Sequence, residues 1–249
     1  MEKIDWHALL TQAAVEHIQG EAWRVVESQG EVATTAIVDT LAEQSILEGL
    51  LEASKPSLPR GTEGLHYLLS TPFRYPPLRW GSRFGTREEP SMLYGSDEIP
   101  TALAETAYYR LVLLTGMEDR NLPEPLRSQH TAFTFPYDIA AGIDLGTEIF
   151  SPYHQALLHP TSYLETQSLG ATLRAQGIIG FKYLSSRCPL HGTNVCLFSP
   201  AGLATHKPTS FRQVICDTNM DRVTFTSGGE LFEFDSALFL INGELPLPA

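Results

Sequence analysis

Several features that mark common protein classes are missing from this 249-residue sequence. No stretch approaches the roughly 18 uninterrupted apolar residues of a membrane-spanning helix, and the first ten residues lack the basic-then-apolar layout of a signal peptide. The three cysteines (Cys188, Cys196 and Cys216) are an odd number without a CxxC pair, which argues against a disulfide framework and a zinc knuckle. We therefore expect a cytoplasmic protein with reduced cysteines and no membrane association.

The sequence also lacks the motifs of the most widespread enzyme folds. Neither a phosphate-binding GxxxxGK[ST] loop nor a GxGxxG turn is present, which weakens the case for the common nucleotide-binding folds. There is no HExxH pair and no GxSxG elbow, and the eight histidines are scattered. We accordingly predict no metal site.

Positive charge is scarce. The chain has 17 Lys and Arg against 29 Asp and Glu, a net charge of −12, and such a chain repels a nucleic-acid backbone. We therefore predict no direct binding of nucleic acid.

Residues 1–53 carry ten of the acidic side chains and only two basic ones. Apolar residues recur there at steps of three and four, over Ile4–Ile18 and again over Ile37–Leu50, which predicts helices. We predict an acidic helical segment over residues 1–55, packed on a domain formed by residues 56–249. An acidic outer face is typical of helices that simply cover a core; the alternative is a docking face for a basic partner.

After Pro56 the pattern changes. Proline and glycine interrupt Thr71–Pro90, which predicts short strands and ordered loops. Ser91–Gly95 is predicted as a strand, and Thr101 as the N-cap of a helix from Ala102 to Thr115.

The second half of the chain is predicted to consist mainly of short strands. A strand is expected at His130–Tyr137, a loop-rich stretch over residues 140–160, and a helix at Ser162–Gln176. Further strands are predicted at Ile178–Leu184, Asn194–Ser199, Phe211–Asp217, Arg222–Thr226 and Leu231–Phe234. Helices followed by many short strands favour an α+β fold over a repeating βαβ sheet.

The most informative residues are Arg83, Tyr94 and Glu105, which follow one another at intervals of eleven. Glu105 lies in a helix that is apolar on most sides, and a carboxylate there needs a partner. Two interpretations stay open on these residues alone. Glu105 is either half of a core ion pair with Arg110 or Arg83, or a functional carboxylate.

An arginine cluster precedes this helix, and it contains no lysine. Its members within fourteen residues are Arg74, Arg79, Arg83 and Arg87. Arginine's planar, permanently charged group suits a bidentate anion such as phosphate. The alternative is a solvated loop that pairs with the acidic N-terminal helices.

Three runs of sequence resemble the RES-domain family, named for an Arg, a Glu and a Ser. They are LHYLLSTPFRYPPLRWGSRFG, MLYGSDEIPTALAETAYYR and KYLSSRCPLHGTNVCLFSP, and together they span Leu65–Pro200. Many such proteins are toxins of type II toxin–antitoxin pairs with an Xre-type antitoxin. The resemblance implies an ADP-ribosyltransferase-like mixed β core with peripheral helices, which binds NAD and breaks its nicotinamide–ribose bond.

The resemblance carries over to individual positions. It implies three catalytic residues: Arg83, Glu105 and Ser185. It implies three NAD-binding residues: Tyr94, Arg74 and Tyr75. Ser186 is a rival for Ser185, and Cys188 stands where relatives often carry an acidic residue. Besides Tyr94 and Tyr75, Trp80 and Phe84 could stack on nicotinamide or adenine.

Cleavage of the nicotinamide–ribose bond can proceed with one carboxylate, because nicotinamide leaves NAD as a neutral base and needs no general acid. We therefore expect an NAD-consuming toxin-type enzyme with NAD as substrate and inorganic phosphate or water as acceptor. The first alternative is a protein ADP-ribosyltransferase. The second is a non-catalytic partner-binding module on the same fold.

Overall fold

The structure, a computed structural model, describes residues 4–28, 39–77, 81–118 and 124–247. Its helices are α1 (Trp6–Leu10), α2 (Leu41–Ser54), α3 (Tyr67–Arg74), α4 (Ile99–Thr115), α5 (His154–Leu157) and α6 (Leu164–Ala175). Its strands are β1 (Glu16–Glu27), β2 (Leu93–Ser96), β3 (Leu126–Asp144), β4 (Gly180–Leu184), β5 (Thr193–Leu197), β6 (Ser210–Thr218), β7 (Arg222–Ser227) and β8 (Glu230–Asp235).

The strands form one mixed sheet in the order β1-β2-β5-β4-β3-β6-β7-β8. The β3–β4 pair is parallel, whereas the other pairs are antiparallel. An additional pairing joins β1 to β3, so five strands close into a ring and β6–β8 extend from it. This mixed sheet with peripheral helices confirms the predicted α+β class. The likeness to ADP-ribosyltransferases stays a prediction.

The N-terminal prediction is wrong over Glu16–Glu27. Within residues 4–28, only Trp6–Leu10 is helical; Glu16–Glu27 form β1, which makes eleven residue pairs with β3. The helical spacing that ended at Ile18 was misleading, because Ile18 packs into the core of the sheet. Gly20 allows β1 to lie close to the Tyr137 side chain of β3, since a Cβ at Gly20 would lie 2.4 Å from the Tyr137 hydroxyl oxygen. The boundary between residues 55 and 56 stays a prediction.

The predicted helix before Pro56 is confirmed as α2; Ile37 lies outside the described residues. Its apolar side chains do not cover a core, contrary to the simpler interpretation. Leu41, Ile46 and Leu50 are 85%, 65% and 64% exposed. Glu52 ties α2 to the rest of the protein through an ion pair with Arg74.

The segment before β2 contains more helix than predicted. α3 continues to Arg74 with Pro72 inside it, although the two residues Ser82 and Gly85 do form an isolated β-bridge. α4 begins at Ile99, two residues before the expected N-cap at Thr101, with Pro100 in its first turn. Proline suits that turn because its missing N–H would have no helical partner there.

The later strands agree with their predictions within a few residues. The main difference is β3, which runs 19 residues and extends into the stretch predicted as loop. The predicted helix at Ser162–Gln176 is α6, and Gly177 follows it with a φ of +75°. α4 packs against β6–β8, whereas α1 and α6 pack together in a separate hydrophobic cluster.

Close packing across the ring generates a stability prediction at Gly95 in β2. A Cβ at Gly95 would lie 2.7 Å from Phe135 Cζ and 2.9 Å from Ala22 Cβ. We expect Gly95→Ala to lower the free energy of unfolding by about 1–3 kcal/mol, because the sheet must shift to make room. Urea unfolding measures this change.

Gly49→Ala is the matched control. Gly49 lies in α2 and a Cβ there has no neighbour within 4 Å, so we expect a gain of about 0.5–1 kcal/mol from helix propensity. Equal effects of the two substitutions would contradict the packing argument.

Candidate active site

A cavity of about 290 Å³ lies where β1 and β2 separate. A single residue pair, Trp23 with Ser96, joins the two strands. Next to that pair, Arg24 of β1 donates from its Nη1 to the carbonyl oxygen of Tyr94 in β2 at 2.7 Å. Among the described residues, the charged ones on its wall are Arg24, Arg83, Arg187 and Glu105.

Glu105 reaches this cavity from the first half of α4. Its Oε1 accepts hydrogen bonds from Ser185 Oγ at 2.6 Å and from Asn194 Nδ2 at 2.9 Å. Its Oε2 accepts none from the described residues. Both partners are neutral, so the carboxylate is held in place with its negative charge uncompensated by a direct cation.

The core ion-pair interpretation of Glu105 is therefore wrong. Arg83 and Arg110 form no salt bridge with it among the described residues. Arg110 lies instead 4.0 Å from Glu27 in β1, and Arg83 bonds to uncharged groups.

Ser185 follows β4 and is fully buried. Its Oγ donates to Glu105 and accepts from the backbone N–H groups of Arg187 at 3.1 Å and Cys188 at 2.9 Å. Ser185 does not line the cavity, so its hydroxyl is placed to orient Glu105 and to hold the following turn. That Ser185 is a catalytic residue stays a prediction, and in this structure its side chain does not reach the cavity wall.

Arg83 sits at the tip of a turn that Ser82 N and the Gly85 carbonyl oxygen close at 2.8 Å. Its NH1 donates to the carbonyl oxygens of Leu157 and His159, and its NH2 donates to Ser186 Oγ at 2.5 Å. Arg83 thus joins the cavity wall to the loop before α6. The two adjacent serines therefore have different partners: Ser185 bonds to Glu105, and Ser186 bonds to Arg83.

Arg24 and Arg187 were missed by the sequence reasoning. Burial lowers the pKa of Arg24 to about 10, which still leaves its guanidinium charged at pH 7. Arg187 donates to the Pro160 carbonyl oxygen at 2.7 Å and stacks 3.6 Å from the Tyr108 ring centroid. Arg24 could have been found by recognising β1 as a strand, whereas nothing in the local sequence distinguishes Arg187.

Tyr94 lies in β2 and lines the cavity, whereas its predicted role in NAD binding stays a prediction. Its hydroxyl donates to Ser82 Oγ at 3.1 Å and accepts from the Phe84 backbone N–H. Burial raises the pKa of Tyr94 well above its ordinary value, so the hydroxyl stays neutral at pH 7 and serves as a hydrogen-bonding group.

Arg74 and Tyr75 lie away from the cavity. Arg74 donates to Glu52 Oε1 at 2.7 Å and to the Pro56 carbonyl oxygen at 2.6 Å, as the alternative interpretation of the arginine cluster expected. Tyr75 is 40% exposed and does not line the cavity. Phe84 is buried against Phe181, and Trp80 and Arg79 lie outside the described residues.

Two further observations concern the chemistry of the described part of the chain. Its His, Cys, Asp and Glu side chains form no group of three or more that could hold a metal ion. Its helices include none that is long and apolar enough to cross a membrane.

Comparison with protein families gives a match to the RES-domain model over residues 57–217. The chain belongs to the RES-domain family. The matched stretch of this RES-domain chain contains Arg83, Tyr94, Glu105 and Ser185, whereas Arg24 lies before it. The arginine that bridges the two strands is therefore supplied from outside the family match.

Among solved structures, a chain of the M. tuberculosis MbcT–MbcA toxin–antitoxin complex is similar to this protein. The two share 11% identity with a TM-score of 0.46, over 87% of this chain and 94% of that one. No curated protein matches the sequence of this RES-domain chain.

The two serines generate a testable contrast. We expect Ser185→Ala to lower the free energy of unfolding by about 1–3 kcal/mol, because two buried backbone N–H groups lose their acceptor. Ser186→Ala should cost about 1 kcal/mol or less, because Ser186 is half-buried and water can replace it at Arg83. Urea unfolding of both variants measures the difference, and a larger loss for Ser186→Ala would contradict the assignment.

Proposed function

We propose that this protein is an NAD-consuming, toxin-type enzyme that cleaves the nicotinamide–ribose bond, with inorganic phosphate or water as acceptor. The observation that carries the proposal is the geometry of Glu105 at a cavity lined by Arg24, Arg83 and Arg187: neutral donors hold its Oε1, and its Oε2 accepts no hydrogen bond from the described residues. Membership of the RES-domain family supports NAD as the substrate.

Glu105 is suited to stabilise a sugar cation. The nicotinamide of NAD is a pyridinium cation, so the bonding electron pair moves onto its nitrogen and it departs neutral. Positive charge then develops on the ribose. A carboxylate without a cationic partner interacts strongly with that charge, because the half-buried site screens it less than water does. The acceptor oxygen forms the new bond to the same ribose carbon.

The arginines are suited to hold the anionic part of the substrate. Arg24, Arg83 and Arg187 come from three separate parts of the chain and all line this cavity, in a protein of net charge −12. Guanidinium groups bind pyrophosphate or inorganic phosphate through paired hydrogen bonds. Their convergence gives an anion a local attractive field within an acidic protein.

A protein partner forms part of the proposal. Family membership leads us to propose an Xre-type antitoxin that inhibits the enzyme by blocking this cavity. Acidic groups of that partner, paired with the arginines that line the cavity, would exclude the dinucleotide.

Glu105→Gln tests the catalytic proposal. The substitution keeps the shape of the side chain but removes its charge, so we expect the rate of nicotinamide release from NAD to fall at least about 100-fold, or roughly 3 kcal/mol in the transition state. Glu118→Gln, at an exposed position near the end of α4, is the matched control and should cleave at the wild-type rate. Nicotinamide release that is the same in both variants refutes the role of Glu105.

The acceptor is tested by incubating the wild-type protein with NAD in the presence and absence of inorganic phosphate. Mass spectrometry should detect a phosphorylated ADP-ribose if phosphate attacks, and ADP-ribose if water does. An increase of mass on a protein, together with neither small product, would instead support the ADP-ribosyltransferase alternative.

A further inference from the structure

A second cavity of about 140 Å³ lies next to the first, and Arg24 is part of the wall of both. Residues at the end of β1 and in α3 form most of its lining. Those that matter here are Glu27, Ser28, Tyr67, Leu68, Thr71 and Pro72. The end of β1 has no pairing with β2 along this stretch, so the two strands leave room for α3 to cover the cavity.

The first cavity is too small for a whole dinucleotide. At about 290 Å³ it lies near the lower limit of roughly 300–1,000 Å³ for sites that enclose a drug-sized ligand. A dinucleotide consists of two nucleosides joined by a pyrophosphate. If Glu105 contacts the nicotinamide ribose in the first cavity, the other nucleoside must extend elsewhere.

We propose that the second cavity binds the adenosine half of the dinucleotide, with the pyrophosphate at Arg24 between the two cavities. The proposal rests on the proposed function. Arg24 is suited to this position because its Nε is buried and has no hydrogen-bond partner among the described residues. A buried donor without a partner is costly, and a phosphate oxygen satisfies it.

The lining of the second cavity matches the chemistry of adenosine. Tyr67, Leu68 and Pro72 offer aromatic and aliphatic surface on which a purine ring can pack. Glu27 offers a carboxylate that can accept hydrogen bonds from ribose hydroxyls, a role that acidic residues have in other NAD sites.

Glu27 also predicts which dinucleotide is preferred. Its carboxylate would repel the 2′-phosphate of NADP. Arg110, whose NH1 lies 4.0 Å from Glu27, is buried and does not line the second cavity. The adenosine site is therefore selective for NAD over NADP.

The first experiment fills the second cavity with Thr71→Trp. Thr71 is exposed in α3 and lines this cavity but not the first. The substrates are NAD and nicotinamide mononucleotide, which has the same scissile bond and no adenosine. We expect kcat/KM for NAD to fall about tenfold or more, with kcat/KM for the mononucleotide unchanged. Ala171→Trp, at an exposed position of α6 that lines neither cavity, should leave both unchanged.

Binding of ADP to the wild-type protein, measured by calorimetry, gives a readout that does not depend on cleavage. We expect ADP to bind, Thr71→Trp to weaken its binding about tenfold or more, and Glu105→Gln to leave it unchanged. NAD cleavage that is insensitive to Thr71→Trp, or absence of ADP binding, overturns the adenosine site and leaves the proposed function standing. ADP binding that Thr71→Trp abolishes, in a protein that releases no nicotinamide, supports the site and overturns the proposed function.

The second experiment tests dinucleotide selectivity with Glu27→Gln. We expect the ratio of kcat/KM for NAD to that for NADP to fall about tenfold or more, because the repulsion of the 2′-phosphate is removed. Glu16→Gln, at the exposed start of the same strand, is the matched control. An unchanged ratio in Glu27→Gln overturns the role of Glu27.

Discussion

The site depends on how one carboxylate is held. Glu105 lies in an apolar helix, where a carboxylate requires compensation for the water it has lost. An arginine would supply this compensation, but it would also neutralise the negative charge of the carboxylate. Here a hydroxyl and an amide supply the compensation at a single oxygen, and both donors are uncharged. The other oxygen keeps its full capacity to interact with a developing cation.

The groups around Glu105 are also held in place by uncharged partners. Ser185 can donate to the carboxylate because two backbone N–H groups orient its oxygen, and Asn194 lies on the neighbouring strand β5. The arginines are anchored largely by backbone carbonyls and aromatic rings. In the part of the chain that the structure describes, the positive and negative groups therefore line one cavity without forming direct ion pairs with each other.

Local sequence patterns predicted much of the fold and part of the site. The strands after Gly177 and the helix carrying Glu105 were predictable because alternation and helical spacing reflect which face is buried. The strand Glu16–Glu27 was not, because its pairing with β3 is a contact between residues more than a hundred positions apart. For the same reason Arg24 was missed. Arg74 was assigned to NAD binding from the family resemblance, but it lies away from the cavity and bonds to Glu52, because a match of short sequence motifs does not fix which cavity a side chain faces.

The position of β1 has a consequence for how the chain can be divided. β1 lies wholly before residue 57, where the RES-domain match begins, yet it covers β3 along eleven residue pairs. A fragment that starts at residue 57 would lack β1, so the backbone N–H and C=O groups of β3 that pair with β1 would have no partner. Open strand edges recruit strands from other chains. Such a fragment would self-associate through β3 and lose the arginine on which the second cavity depends, although it retains Arg83, Glu105 and Ser185.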